Sequence, residues 1–124
     1  MPPRIYPTVA ETIATHHLLI EEFGGLHGIR DAGLLESAVL RPQNGYYSNL
    51  IEEASALMES LANNHAFIDG NKRVSFVMTD AMLRANGYFL EIEPFAGYKL
   101  ITEAMEKNGF RDWIASIVKP LAPE

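Results

Sequence analysis

Between His65 and Arg73 the chain reads His-Ala-Phe-Ile-Asp-Gly-Asn-Lys-Arg, and these nine residues gather the side chains that phosphate chemistry uses. Gly70 tolerates positive φ at no steric cost, so the backbone amides after it can turn toward one point. Those amides, at the start of a helix whose dipole is positive there, form an anion site. Lys72 and Arg73 add full charges and several donors, and Asn71 adds an amide. Two cations in the first turn oppose the helix dipole, which favours acids there by about 0.3–1 kcal/mol per group. A bound anion would remove that conflict. Asp69 supplies hard oxygen ligands of the kind that hold Mg²⁺ against phosphate oxygens. His65 is close along the chain, and an imidazole exchanges protons near neutral pH. Cradle, metal ligand and base are the parts of a phosphate-group transfer, with a nucleotide polyphosphate as the anion.

Each of these residues also has a purely structural reading. Asp69 can cap the helix that follows. His65 continues an apolar helical stripe, as a packed ring would. Lys72 and Arg73 can pair with Glu52, Glu53 or Asp80, a common fate of surface charges. Phe67 is most simply an anchor that pins the loop to the core. Singly these readings are ordinary, but their coincidence within one helix–loop–helix junction favours a site.

The elements that must position the motif are helices with clear punctuation. Thr8 and Glu11 form a capping box, and Val9, Ile13, His16, Ile20 and Phe23 carry a helical stripe as far as Gly24-Gly25. Gly24, Gly25 and Gly28 make a loop; Asp31 can cap a second helix through Leu34, Leu35, Ala38 and Val39, which Arg41-Pro42 ends. A polar loop over Gln43–Asn49 leads to a third helix with Ile51, Ala54, Met58, Leu61 and His65 on one face. The fourth begins near Asn71 and packs through Val74, Val77, Met78, Ala81, Met82 and Ala85. Tyr88, Leu90 and Ile92 alternate with Phe89, Glu91 and Glu93 in a short extended piece. Further helices are expected over Phe95–Lys107 and Arg111–Lys119, the latter packing through Trp113, Ile114 and Ile117. The fold class read from this pattern is all-α: one compact domain over residues 1–124 with about six helices.

Composition bounds the function. Hydrophobic residues make up 48% and charged residues 21%, as in an ordinary globular chain. With no cysteine there is no disulfide and no thiolate zinc site. The opening MPPRIYPTVAE lacks the apolar core of a signal peptide, and no apolar run is long enough to span a bilayer, so the expectation is a cytoplasmic protein without a membrane partner. A net charge of −6 disfavours broad binding to nucleic acid and suits a compact phosphate better than a polyanion. His16 and His17 are adjacent and face different ways on a helix, and no HxxxH pair marks a zinc site. His16 reads as a core histidine. Gly70-Asn71-Lys72 lacks the order of a P-loop, and there is no GxSxG element.

HAFIDGNKR resembles the active-site motif of the Fic/Doc superfamily, and FGGLHGIRDAGLLESAVLRPQ, Phe23 to Gln43, is similar to the N-terminal part of its Doc (death-on-curing) toxins. Lys72 matches the Doc branch. Typical Fic proteins have glycine there, and usually proline where this chain has Ala66. The resemblance runs from the first helix to the fourth and implies a compact helical Fic/Doc domain. It implies that His65 is the catalytic base acting on an acceptor hydroxyl and that Phe67 anchors the loop. Asp69 would bind Mg²⁺, and Gly70, Asn71, Lys72 and Arg73 would hold the nucleotide phosphates. The activity implied is Mg-ATP-dependent transfer of the γ-phosphate to a protein hydroxyl of elongation factor Tu, which halts translation. A Phd-type antitoxin would be the second partner. The internal inhibitory pattern [ST]xxxE[GN] of some Fic proteins is not matched at Ser55–Ser60 or Thr102–Lys107, which fits a brake supplied by a separate chain. The alternatives are AMP transfer, as in glycine-bearing Fic proteins, and a non-catalytic binding module that kept the fold.

Overall fold

Thr8 starts the first helix as the sequence requires. Its hydroxyl accepts the Glu11 N–H at 3.1 Å, and the Glu11 carboxylate accepts the Thr8 N–H at 3.1 Å. The computed structural model describes residues 3–93, 96, 97, 99, 101, 103 and 109–122. Helix α1 covers Val9–Phe23 and stops at Gly24, whose φ is 85°. Helix α2, Ala32–Leu40, opens on Asp31, whose carboxylate accepts the Leu34 N–H at 3.0 Å. Pro42 cannot continue an α-helical ladder, and Arg41–Gln43 form a single 3₁₀ turn. Helix α3, Leu50–Asn63, opens on Asn49 by the same device, and α4 covers Asn71–Ala85.

The core lies between α3 and α4, the most extensively packed pair of elements. Ala54, Leu57, Met58 and Leu61 join Val74, Phe76, Met78, Met82 and Leu83 in one buried cluster, which Leu35 and Val39 of α2 close from the side. Burying a side chain of this size contributes about 1.5–3 kcal/mol, so this pair fixes where α3 ends and α4 begins. The motif occupies that junction. Its two helices cannot slide without opening the core.

Three details differ from the sequence expectation. Ile13, Ala81 and Ala85 are exposed, and the buried side of α1 is instead Thr12, His16, Leu19 and Ile20. The last helix, α5, covers Phe110–Ile117 and gives way to a strand rather than running to Lys119. That strand, β2 (Val118–Pro120), pairs antiparallel with β1 (Tyr88–Leu90), Leu90 opposite Val118 and Tyr88 opposite Pro120. The ladder extends at both ends through Glu91 N–H to Ile117 O and Leu121 N–H to Gly87 O, at 2.7 and 2.9 Å. The helix expected over Phe95–Lys107 lies largely outside the described residues; Ala96, Gly97, Lys99, Ile101 and Glu103 are helical, and Ile101 is buried. The architecture is mostly helical, as the sequence indicates, with one small two-stranded sheet added. Among the described residues no helix is long and apolar enough to cross a membrane.

Candidate functional site

Helix α3 ends at Asn63, so His65 lies beyond the helix and not on its stripe. The sequence expectation of a ring continuing the apolar face is corrected by the backbone: His65 is exposed and sits at φ 52°, the only non-glycine residue with positive φ among those described. That conformation costs an L-residue about 1–2 kcal/mol, and it turns the chain sharply out of the helix. Arg30 stabilises the turn from across the molecule. Its guanidinium donates to His65 O at 2.6 Å and to the O of Asn64, the C-cap of α3, at 3.2 Å. The glycine loop and the motif then pair along their backbones. Ala66 O accepts the N–H groups of Arg30 and Asp31, Ile68 N–H donates to Gly28 O, and Ile29 bridges Phe67 antiparallel.

One side of the motif is buried and fully tied down. Phe67 is 1% exposed and stacks on the imidazole of His16, ring centroids 3.8 Å apart. His16 is itself buried, and its Nε2 donates to Asp69 O at 2.7 Å, which places the ring hydrogen on that nitrogen because a carbonyl can only accept. Burial lowers the pKa of His16, an effect partly opposed by this hydrogen bond. Asn71 reaches back to the same phenylalanine: its Oδ1 accepts Phe67 N–H at 3.1 Å and its Nδ2 donates to Phe67 O at 3.0 Å. The Asn71 side chain thus stands in for a neighbouring strand. Its amide, which the sequence offered to an anion, is spent on holding the loop.

The other side is open. Asp69 is exposed, and its carboxylate accepts the Leu26 N–H at 3.0 Å and the Gly70 N–H at 2.9 Å. Those two bonds, Leu26 first, hold its pKa below the usual carboxylate range, with a smaller contribution from the charge of Arg73. Gly25 makes this approach possible: at φ 117°, a Cβ there would lie 2.7 Å from Asp69 Oδ2. Asp69 does not cap α4. The cap is Gly70, in the left-handed conformation at φ 75° and without a side-chain bond, so the first amides of α4 follow a residue that offers them no acceptor. Arg73 donates to Gly24 O at 3.1 Å and lies over the Phe23 ring, while the acids that the sequence suggested for it are engaged elsewhere: Glu52 with Ser48 and Asn49, Glu53 with Arg4 and Asp80 with Arg84. Lys72 is exposed in the opening turn of α4.

His65, Asp69, Gly70, Asn71, Lys72 and Arg73 all border one cavity of about 440 Å³, which Ala62 and Ile68 complete. A carboxylate has about four lone-pair positions, and Asp69 uses two on backbone N–H groups, so it retains acceptors for a hard cation such as Mg²⁺. The ionised state of Asp69 and the cations of the first α4 turn suit a metal-bound polyphosphate. Four residues that shape the site escaped sequence reasoning in that role: His16, Gly25, Leu26 and Arg30. The glycine spacing announced a loop; its destination, 40 residues away in sequence, carried no local signal.

A sequence model described as the Fic/DOC family matches residues 6–83. Two relatives of known name are similar over part of the chain. "Toxin Doc" of Mycolicibacterium smegmatis is 46% identical over 70 residues, covering 52% of this chain and 54% of that protein. "Protein kinase doc" of Escherichia phage P1 is 33% identical over 81 residues, covering 62% of this chain and 64% of that protein. The matched region thus spans between half and two-thirds of each relative.

Proposed function

The chain belongs to the Fic/DOC family, and on that footing we propose that residues 1–124 act as one Doc-type domain, the toxin of a toxin–antitoxin pair, and transfer phosphate from ATP to a protein hydroxyl. The observation that carries this reading is the convergence of His65, Asp69 and the first turn of α4 on one cavity. The names of the two relatives, a toxin and a protein kinase, support it.

In this reading the backbone amides at the start of α4, with Lys72 and Arg73, bind and orient the phosphates. Asp69 holds Mg²⁺, which would neutralise phosphate charge when bound. His65 accepts the proton of the acceptor hydroxyl as a new phosphorus–oxygen bond forms and the bond to the ADP leaving group breaks. Positioning and charge neutralisation provide most of the rate, and the base adds about 10²–10⁴-fold. A long cation at position 72 fills space beside the phosphates, and this supports presentation of the γ-phosphorus to His65. Phe67 acts from beneath the loop and touches no reacting atom. The proposed acceptor is elongation factor Tu, with arrest of translation as the outcome in a cytoplasmic setting. The proposed restraint is a Phd-type antitoxin, whose helix would lie in an apolar groove.

The test is incubation of the purified chain with elongation factor Tu, Mg²⁺ and ATP labelled at the γ or the α position. Label transferred from the γ position is expected. Transfer from the α position would replace the reading with AMP transfer, and no transfer from either would remove elongation factor Tu as the acceptor. Expression without an antitoxin should arrest bacterial growth, and harmless expression would overturn the toxin assignment.

A further inference from the structure

A second group of ligand-type side chains lies on the outer side of the glycine loop, away from the Asp69 cavity. His17 and Glu21 stand one turn apart on α1, and His27 comes to them from the loop. His27 Nε2 is 2.8 Å from Glu21 Oε1, His17 Nε2 is 3.8 Å from the same oxygen, and the three ligand atoms all lie within 4.8 Å of one another. The two imidazoles are 4.6 Å apart between centroids and tilted by 32°. Zinc bonds to nitrogen and oxygen of about 2.0–2.2 Å put neighbouring tetrahedral ligands roughly 3.4 Å apart, a spacing these three atoms reach by small rotations. A single hydrogen bond accounts for His27 beside Glu21. It does not include His17, whose Nε2 faces the same oxygen at 3.8 Å, beyond hydrogen-bond reach, and an ion shared by the three groups would engage both rings.

We infer that His17, Glu21 and His27 form a binding site for a divalent transition-metal ion, with zinc as the first choice, which clamps the glycine loop to α1. Two imidazole nitrogens and one carboxylate oxygen suit Zn²⁺, Ni²⁺ or Cu²⁺, whereas Mg²⁺ and Ca²⁺ favour oxygen ligands alone. The group is exposed, so the remaining coordination positions belong to water. His16, next in the chain, adds no ligand, because its Nε2 is committed to Asp69 O. The placement gives the ion leverage on the motif. The residue before His27, Leu26, donates its N–H to Asp69, and the residue after it, Gly28, accepts the N–H of Ile68. Fixing His27 to α1 therefore stiffens the strip of backbone that holds Asp69 and Ile68 in place. The pattern HxxxH does not contain the group, because its second histidine comes from the loop and not from the helix.

The experiment titrates Zn²⁺ into the tag-free, nucleotide-free full chain in competition with a chromophoric chelator, and follows amide exchange of Leu26 and Ile68. One ion per chain is expected, undisturbed by millimolar Mg²⁺. His27→Gln and Glu21→Gln should each weaken binding by more than the roughly 10–100-fold typical of losing an outer-shell partner. His65→Ala and Lys72→Ala should leave it unchanged. Zinc should slow exchange of both amides in the parent chain and in neither of the first two variants. Absence of zinc binding, or parental affinity in His27→Gln and Glu21→Gln, would overturn the site. Binding without slowed exchange would overturn the clamp. Loss of binding in His65→Ala would move the ion to the other cavity and so refute this assignment. None of these outcomes depends on the phosphotransfer reading.

Discussion

The two faces of the HAFIDGNKR loop are built on opposite rules. On the inner face, Phe67, His16 and Asn71 form a closed arrangement in which ring meets ring and each polar atom of the Asn71 amide meets a backbone group of Phe67. On the outer face, His65 is exposed in a left-handed turn, Asp69 is exposed with acceptors to spare, and the cap of α4 offers no side-chain partner. The contrast shows how a loop can be rigid on one side and open on the other. Rigidity comes from groups that face the core and are fully satisfied; the open groups, to which the proposed chemistry is assigned, inherit their positions from that rigidity. The His16 hydrogen bond to Asp69 O joins the faces, since it fixes the backbone from which the outer carboxylate hangs.

Removing the outer imidazole should give the largest effect on chemistry with the least on structure. His65→Ala is expected to lower phosphate transfer by about 10²–10⁴-fold while ATP affinity and Tm stay near the parent values, as kinetics, calorimetry and thermal melting would register. Parallel losses of stability and binding would mean the ring belongs with the inner face after all. The converse substitution is Phe67→Ala. It should cost about 3–5 kcal/mol of unfolding free energy, measured in denaturant, because a fully buried ring leaves a cavity against His16. Mg-ATP tests the outer face by addition: at one hundred times its Kd it should stabilise the chain by about 2.7 kcal/mol, and by less in Lys72→Ala at the same concentration.

Asn71→Leu isolates the amide clamp. Its loss leaves the N–H and C=O of Phe67 without their side-chain partner, at about 1–3 kcal/mol in a denaturant titration. Acid distinguishes the faces most gently. His16 has a lowered pKa, so the folded chain binds fewer protons there than the unfolded one. Its stabilising contribution is complete well above the unfolded value of about 6.5 and is lost as pH falls below it. Asp69 is also depressed, and its contribution is complete above about 3.9 and lost only at more acidic pH. In metal-free buffer, therefore, stability should begin to decline between pH 7 and 5, and His16→Asn should flatten that slope. Asp69→Asn should leave that slope in place.

How much of this was legible follows from the reach of each signal. The starts of α1, α2 and α4 lie within four residues of the Thr8, Asp31 and Gly70 that announce them, and the sequence located all three. The side of α1 that faces inward differs at Ile13, because a polar residue can take the buried face when it satisfies itself there: Thr12 donates to Thr8 O of its own helix and His16 to Asp69 O across the core. The β1–β2 pair went unseen because Val118 has no local reason to choose Leu90; that choice is made by the packing of α5. In the site, the motif's membership was plain while its division into two faces was not. Asn71 looks identical in sequence whether its amide serves an anion or Phe67.

Glycine at position 65 would occupy the same backbone conformation without its steric penalty, a gain on the order of 1 kcal/mol. The candidate base is thus seated where the fold would be sturdier without it, a familiar tension between endurance and activity. A library selected only for heat tolerance should enrich His65→Gly, and its survivors would be chains that persist longer and react less. If the chain is the toxin proposed above, the mutational path toward durability and the path toward harmlessness would coincide at this residue. Retention of histidine there would then record continuing selection for what the chain does, not for how well it folds.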